Sequence, residues 1–192
     1  MKFWATITFI IGAFVVFAIF TNHKGPNNGP IVQPTSSLNA MVGQPAPDFT
    51  LQSVSGKTFS LSSLRGKKIV LFFNEGIMCY PACWNQMAAL GTDAKLNNAN
   101  VVSASIVVDS KDEWASAIRK MPALGKGTIL LDSDLSVSNQ YNVLSLPSSM
   151  HKGMKPGHTY FVIDQNGIIR FTKDDPAMGI NNSILESEVA KI

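Results

Sequence analysis

The run Lys68-Ile69-Val70-Leu71-Phe72-Phe73 leads directly into Asn74-Glu75-Gly76-Ile77-Met78-Cys79-Tyr80-Pro81-Ala82-Cys83-Trp84, and the fold is decided by how these residues are read. A continuous apolar run bounded by a lysine and an asparagine is the pattern of a strand buried on both faces. Beyond it Cys83, Met87, Leu90 and Ala94 recur at the spacing of one helix face, so a helix is expected from Cys79 to Leu96. The chain has two cysteines, Cys79 and Cys83, and both fall where a strand ends and a helix begins. In an open α/β sheet that edge is where chemistry is placed. A helix N-terminus offers partial positive charge and free N–H groups, which lower a thiol pKa from about 8.5. Cysteines at i and i+4 share a helix face and can close a small disulfide ring. Pro81 is tolerated in a first turn and stiffens the segment between the sulfurs. Two cysteines fall short of the roughly four ligands of a structural zinc. Redox chemistry and soft-metal binding remain, beside the plain alternative of two buried structural thiols.

Working outward, Val101 to Val108 reads as a second buried strand, Thr128 to Leu131 as a third and Thr159 to Ile163 as a fourth. Phe49 to Leu51 is a short strand, and Leu61 to Leu64 makes one helical turn. Helices are expected over Lys111 to Met121, from a cap at Asp134 to Tyr141, and over Asn182 to Ile192. Gln165-Asn166-Gly167 turns the fourth strand back into Ile168 to Phe171, since Asn-Gly between apolar runs marks a hairpin. Helical crossovers imply parallel neighbours and the hairpin adds an antiparallel edge. The expectation for residues 43–192 is one α/β domain, a mixed central β-sheet flanked by helices on both faces.

The N-terminal part is different in kind. Phe3 to Phe20 is uncharged and apolar all round, and Thr21 and Asn22 extend the uncharged run to 20 residues. At ~1.5 Å per residue it reaches across a ~30 Å hydrocarbon core. It is longer than a signal-peptide core, and Ala18-Ile19-Phe20 offers no small-x-small cleavage site. Residues 1–22 are therefore expected to be an uncleaved transmembrane anchor, placing the larger C-terminal part on the extracytoplasmic side of the cell membrane. Residues 23–42, with Pro26, Pro30, Pro34, Gly25 and Gly29, read as a flexible linker with a reach of roughly 25 Å.

The chain of 192 residues is 45% hydrophobic and only 15% charged, which excludes a disordered composition. Its net charge of +3 is scattered, so no nucleic-acid partner is expected.

The globular part resembles the thioredoxin-like fold, and more narrowly the redoxins of the alkyl hydroperoxide reductase and thiol-specific antioxidant (AhpC/TSA) superfamily. The resemblance runs from about Val42 to Phe171. It rests on the opening Val42-Gly43-Gln44-Pro45-Ala46-Pro47-Asp48-Phe49, on Leu61-Ser62-Ser63-Leu64-Arg65-Gly66-Lys67, and on Thr159-Tyr160-Phe161-Val162-Ile163-Asp164-Gln165-Asn166-Gly167. There are departures. The cysteine spacing is C-x-x-x-C, with Ala82 as the additional residue. The tryptophan, Trp84, follows the second cysteine. The hydroxyl residue and proline that peroxiredoxins place ahead of the peroxidatic cysteine correspond to Gly76 and Phe72. The proline that usually precedes the Thr159 strand is replaced by His158. The spacing together with His158 also resembles copper proteins of the cytochrome-oxidase assembly (Sco) type, which implies copper held by Cys79, Cys83 and His158 as an alternative. Met150, His151 and Met154 lie on the loop just before; their plain reading is a surface loop.

The resemblance implies thiol–disulfide exchange, with Cys79 as nucleophile and Cys83 as resolving thiol. Protein disulfides would be substrates, a thiol electron donor would regenerate the dithiol, and no dissociable cofactor is needed. A thiol peroxidase is the other redox reading. Glu75, four residues before Cys79, is either a proton shuttle or a solvated loop acid. Trp84 is expected to pack beside the sulfurs. Lys173-Asp174-Asp175 is expected to be a solvated turn.

Overall fold

The computed structural model describes residues 36–192, as a seven-stranded sheet with order β2-β1-β5-β4-β3-β6-β7. The strands are β1 (Thr50–Ser53), β2 (Thr58–Ser60), β3 (Lys68–Phe73), β4 (Val101–Val107), β5 (Thr128–Leu131), β6 (Thr159–Ile163) and β7 (Ile169–Asp174). The helices are α1 (Ser36–Met41), α2 (Ala82–Thr92), α3 (Lys111–Lys120), α4 (Ser136–Gln140) and α5 (Asn182–Ala190). Strands β3, β4 and β5 run parallel; β6 is antiparallel to β3, β7 to β6, and β1 to both β5 and β2. This is the mixed sheet with flanking helices expected for residues 43–192. The expected transmembrane anchor lies outside the described residues. Among the described residues no helix is long and apolar enough to cross a membrane.

The apolar run of β3 is explained by two separate cores. Successive strand side chains point to opposite faces. Ile69, Leu71 and Phe73 join Phe49, Ile106, Tyr141 and Phe161 on one face, while Val70 and Phe72 join Trp84, Trp114, Tyr160 and Leu185 on the other. Both faces are covered, so alternation with polar residues disappears. Strand β6 divides in the same way, with Phe161 and Ile163 on one face and Tyr160 and Val162 on the other.

Helix α2 is shorter than the expected Cys79–Leu96. A 3-10 turn over Gly76–Met78 comes first, and Pro81 is the N-cap. At the far end the Asp93 carboxylate accepts the N–H groups of Lys95 and Leu96, and the Asn97 amide donates to the carbonyls of Leu90 and Asp93. Side-chain bonds thus replace the next helical turn. Gly91 lets α2 press onto the segment before β5, since a Cβ there would stand 2.6 Å from the Gly127 backbone.

Three further differences have local causes. Strand β7 continues to Asp174, pairing Thr172, Lys173 and Asp174 with Phe161, Tyr160 and Thr159. The cap of α4 is shared: Asp134 accepts the Ser136 N–H, while the buried Asp132 carboxylate takes those of Val137 and Ser138. The end of the stretch read as linker contains α1, whose Leu38 is buried in the first core. Helix α3 forms as expected, behind a capping box between Ser110 and Glu113.

Candidate active site

The disulfide is formed. Cys79 and Cys83 are joined with an S–S distance of 2.12 Å, and the Cys83 N–H donates to the Cys79 carbonyl at 2.9 Å. That backbone bond spans four residues, which brings i and i+4 side chains together. Cys79 ends the 3-10 turn, just ahead of α2, and Cys83 lies in its first turn. Both sulfurs are buried in this oxidised state: Cys79 is 4% exposed and Cys83 is fully enclosed.

The turn that delivers Cys79 is built on Gly76. Its φ is +65°, and a Cβ there would collide with the Asp109 carboxylate. That carboxylate accepts the Ile77 N–H at 3.0 Å and pairs with Lys155. Gly76 N–H donates to the Asn74 side chain, and Trp84 Nε1 donates back to the Gly76 carbonyl at 3.3 Å. Trp84 thereby ties α2 to the turn, its ring packed edge-on against Tyr80 and tilted against Trp114. Pro81 follows Tyr80 through a cis peptide, the only one among the described residues.

His158, immediately before β6, is fully buried, and its Nδ1 stands 3.6 Å from Cys83 Sγ. Its ring packs against Phe72 at 4.6 Å. Nε2 lies 2.7 Å from the Tyr160 hydroxyl and 3.1 Å from the Gly179 carbonyl. The two contacts correspond to two tautomers. A proton on Nε2 is donated to Gly179, leaving a lone pair on Nδ1; a Tyr160 hydroxyl donating to Nε2 puts N–H on Nδ1. Burial pushes the imidazole pKa down to about 4, so the ring is neutral at pH 7. Burial likewise pushes the Tyr160 hydroxyl pKa up, which keeps it protonated.

Glu75 departs from one of its two sequence readings. It is fully buried, so it is not a solvated loop acid. Its Oε1 accepts the N–H groups of Met150 at 2.5 Å and His151 at 3.0 Å, and its Oε2 lies 3.3 Å from His151 Nδ1 without hydrogen-bond alignment. Glu75 therefore pins the loop that carries Met150, His151 and Met154 beside the redox turn. Met78, Tyr80, Met150, Met154 and Ile180 stay exposed on these loops.

Sequence reasoning missed Met178. Its Sδ is 3.8 Å from Cys79 Sγ, and its backbone has φ +52°. Nothing in the loop Asp175-Pro176-Ala177-Met178-Gly179 marks that methionine. The charge run before it is not a solvated turn. Asp174 accepts from Ser148 and Thr159, and the buried Asp175 accepts from Gly179 N–H and the Asn181 amide.

The fold and the vicinal cysteine pair define a thioredoxin-like redoxin. The AhpC/TSA family model matches residues 42–172, and the chain belongs to the AhpC/TSA family. It is 32% identical over 160 residues to peroxiredoxin-2 of Cricetulus griseus, covering 75% of each protein. It is 33% identical over 153 residues to peroxiredoxin-1 of Gallus gallus, covering 70% of each. In fold it is similar to the reduced 2-Cys peroxiredoxin of Plasmodium vivax, with a TM-score of 0.67, 23% identity, and coverage of 78% of this chain and 80% of that one. Among the described residues no group of three or more His, Cys, Asp or Glu side chains is set to hold a metal ion.

Proposed function

We propose that this redoxin is a thiol–disulfide oxidoreductase, anchored by residues 1–22 so that residues 43–192 work outside the cytoplasmic membrane. In the reduced protein the Cys79 thiolate attacks a protein disulfide and forms a mixed disulfide, releasing one substrate thiolate. His158 Nδ1, in the tautomer with a bare lone pair, takes the proton of the Cys83 thiol. The Cys83 thiolate then attacks Cys79 Sγ; the second substrate sulfur departs with the proton returned by His158, as a thiol, and Cys79–Cys83 is left oxidised. Two electrons pass from the pair to the substrate, and an external thiol donor returns them. No dissociable cofactor enters. Trp84 and Pro81 hold the geometry, and Glu75 holds the neighbouring loop.

The observation that carries this choice is Gly76. At the position where the peroxiredoxin pattern implies a hydroxyl to bind peroxide, the backbone is left-handed and the Asp109 carboxylate fills the space of a side chain. Outside the disulfide, Cys79 Sγ has the Met178 thioether beside it at 3.8 Å, not a donor that could stabilise a departing hydroxide. A second reading, thiol peroxidase, is favoured by the relatives named peroxiredoxins. In it Cys79 is oxidised to a sulfenic acid by a peroxide, and Cys83 condenses with it, releasing water.

The two readings separate in one experiment on the full chain in detergent. With dithiothreitol as donor, insulin reduction and hydrogen peroxide consumption are followed in parallel. Insulin turnover that is lost in Cys79→Ser, with peroxide consumption near the uncatalysed rate, is the expected result. Rapid peroxide consumption without insulin turnover contradicts it.

A further inference from the structure

We propose that the dithiol also reduces the sulfoxide of Met178, making this methionine an oxidant trap that the redox pair itself resets. The electron acceptor is a thioether oxidised by hydrogen peroxide, so the activity lies outside disulfide exchange. It needs the Cys79–Cys83 dithiol and an external thiol donor, and it stands whichever substrate the pair serves. Cys79 Sγ has two sulfurs beside it: Cys83 Sγ, bonded at 2.12 Å, and Met178 Sδ at 3.8 Å. Reacting atoms held for attack stand about 3–3.5 Å apart. Sulfur is larger than carbon or oxygen, so 3.8 Å is contact between the two. Reduction frees Cys79 Sγ from one sulfur and leaves the other next to it.

The turn after β7 holds that contact in place. Met178 has φ +52°, a left-handed backbone that is unfavourable for a residue with a Cβ. Such outliers persist where the surroundings over-determine them, and they gather at functional sites. Here the Met178 N–H donates to the Asp175 carbonyl, and the Gly179 N–H donates to the buried Asp175 carboxylate. The Asn181 amide donates to the same carboxylate and to the Gly179 carbonyl. What the turn delivers to the redox pair is the thioether. Met178 is half-buried and Cys79 is 4% exposed, so a small oxidant has better access to the methionine.

Hydrogen peroxide passes one oxygen to Met178 Sδ, giving the sulfoxide and water. Once a thiol donor has reduced the disulfide, the Cys79 thiolate attacks the sulfoxide sulfur. The oxygen takes two protons, one from solvent and one from the Cys83 thiol, and leaves as water. Cys79 Sγ and Met178 Sδ are then joined as a thiosulfonium. The Cys83 thiolate attacks Cys79 Sγ and expels the neutral thioether. Two electrons pass from the two thiols to the sulfoxide, the Cys79–Cys83 bond forms again, and Met178 is restored. A methionine sulfoxide that is not held against Cys79 gains nothing from the pair.

The test uses the full chain in detergent with its disulfide intact. Hydrogen peroxide oxidises the methionines and is removed, dithiothreitol is added, and peptide masses follow each sulfoxide with time. The exposed Met150 and Met154 are internal controls. The Met178 sulfoxide should disappear about tenfold faster than theirs, or more, and Cys79→Ser should abolish the difference. A Met178 sulfoxide as persistent as the controls overturns the proposal, and so does equally fast loss in Cys79→Ser. A Met178 still unoxidised when Met150 and Met154 are fully oxidised overturns it as well. Insulin turnover is read on unoxidised protein, so failure here is distinguishable from failure of the exchange reading.

Discussion

His158 Nδ1 stands 3.6 Å from Cys83 Sγ, although 75 residues separate the two in the chain. Strand pairing brings them together. Phe72, near the end of β3, is registered against Tyr160 of β6, so the residue before β6 arrives at the edge from which the redox turn departs. A sheet neighbour thereby places an imidazole nitrogen beside the sulfur in the first turn of α2. The second ring nitrogen is engaged by Tyr160 and Gly179, so the imidazole cannot turn away without losing both contacts.

Stability of the oxidised, metal-free protein should depend on this histidine. Its folded pKa is lowered to about 4 from an ordinary value of 6.5, chiefly by burial. A group whose folded state disfavours the proton costs nothing above the unfolded pKa. As pH falls below 6.5 the unfolded chain takes up the proton first, so stability is lost between pH 6.5 and about 4. The full loss is on the order of 3 kcal/mol. Urea denaturation midpoints across that range should fall, and His158→Asn should flatten the fall; an unchanged slope in the variant contradicts the assignment.

Gly76→Ala should be costly for two reasons. Its φ of +65° disfavours a Cβ, and the Cβ would displace the Asp109 carboxylate from the Ile77 N–H. A loss of roughly 2–4 kcal/mol is expected. Thermal unfolding of the oxidised protein measures it; a midpoint within a degree of the parent contradicts the account of the turn.

Glu75→Gln and Glu75→Ala should behave differently. Gln keeps an acceptor for the Met150 and His151 N–H groups, whereas Ala leaves both without their partner. Hydrogen exchange at those two amides should accelerate about tenfold or more in the Ala variant, for a loss of ~1.4 kcal/mol or more. In the Gln variant exchange should stay near that of the parent. A fall in insulin turnover in the Gln variant, with the loop still protected, would isolate a proton-transfer role for the carboxylate.

Much of this architecture was legible because β3, β4, β5 and β6 are apolar on both faces and punctuated by turn residues. That Cys79 and Cys83 can pair was legible from their spacing and their place at a strand–helix junction; that they are joined was not, because buried thiols and soft-metal binding fitted the same residues. The limits of α2 were not, because they are set by side-chain bonds from Asp93 and Asn97, and by a 3-10 turn that Gly76 permits. Met178 was hidden for a different reason. Its place beside Cys79 follows from tertiary contacts of the turn after β7, and no periodicity reports those contacts. The charge run Lys173-Asp174-Asp175 misled because its carboxylates are used inside, by Ser148, Thr159 and Asn181.

The proposed anchor makes a separate prediction. Full-length protein expressed in a bacterium should stay with the membrane pellet through a carbonate wash. Recovery in the wash of a chain lacking residues 1–20 contradicts the anchor.

The central claim is that Cys79 reacts with disulfides in preference to peroxide, and a competition on Cys83→Ser tests it most directly. Without the resolving thiol, each product at Cys79 accumulates. The reduced full-length variant is mixed with equal concentrations of a cysteine-containing peptide disulfide and hydrogen peroxide, quenched at intervals with a sulfenic-acid probe, and read by mass spectrometry. The account predicts that the mixed disulfide on Cys79 forms first and dominates. Earlier and dominant labelling of a Cys79 sulfenic acid would contradict it.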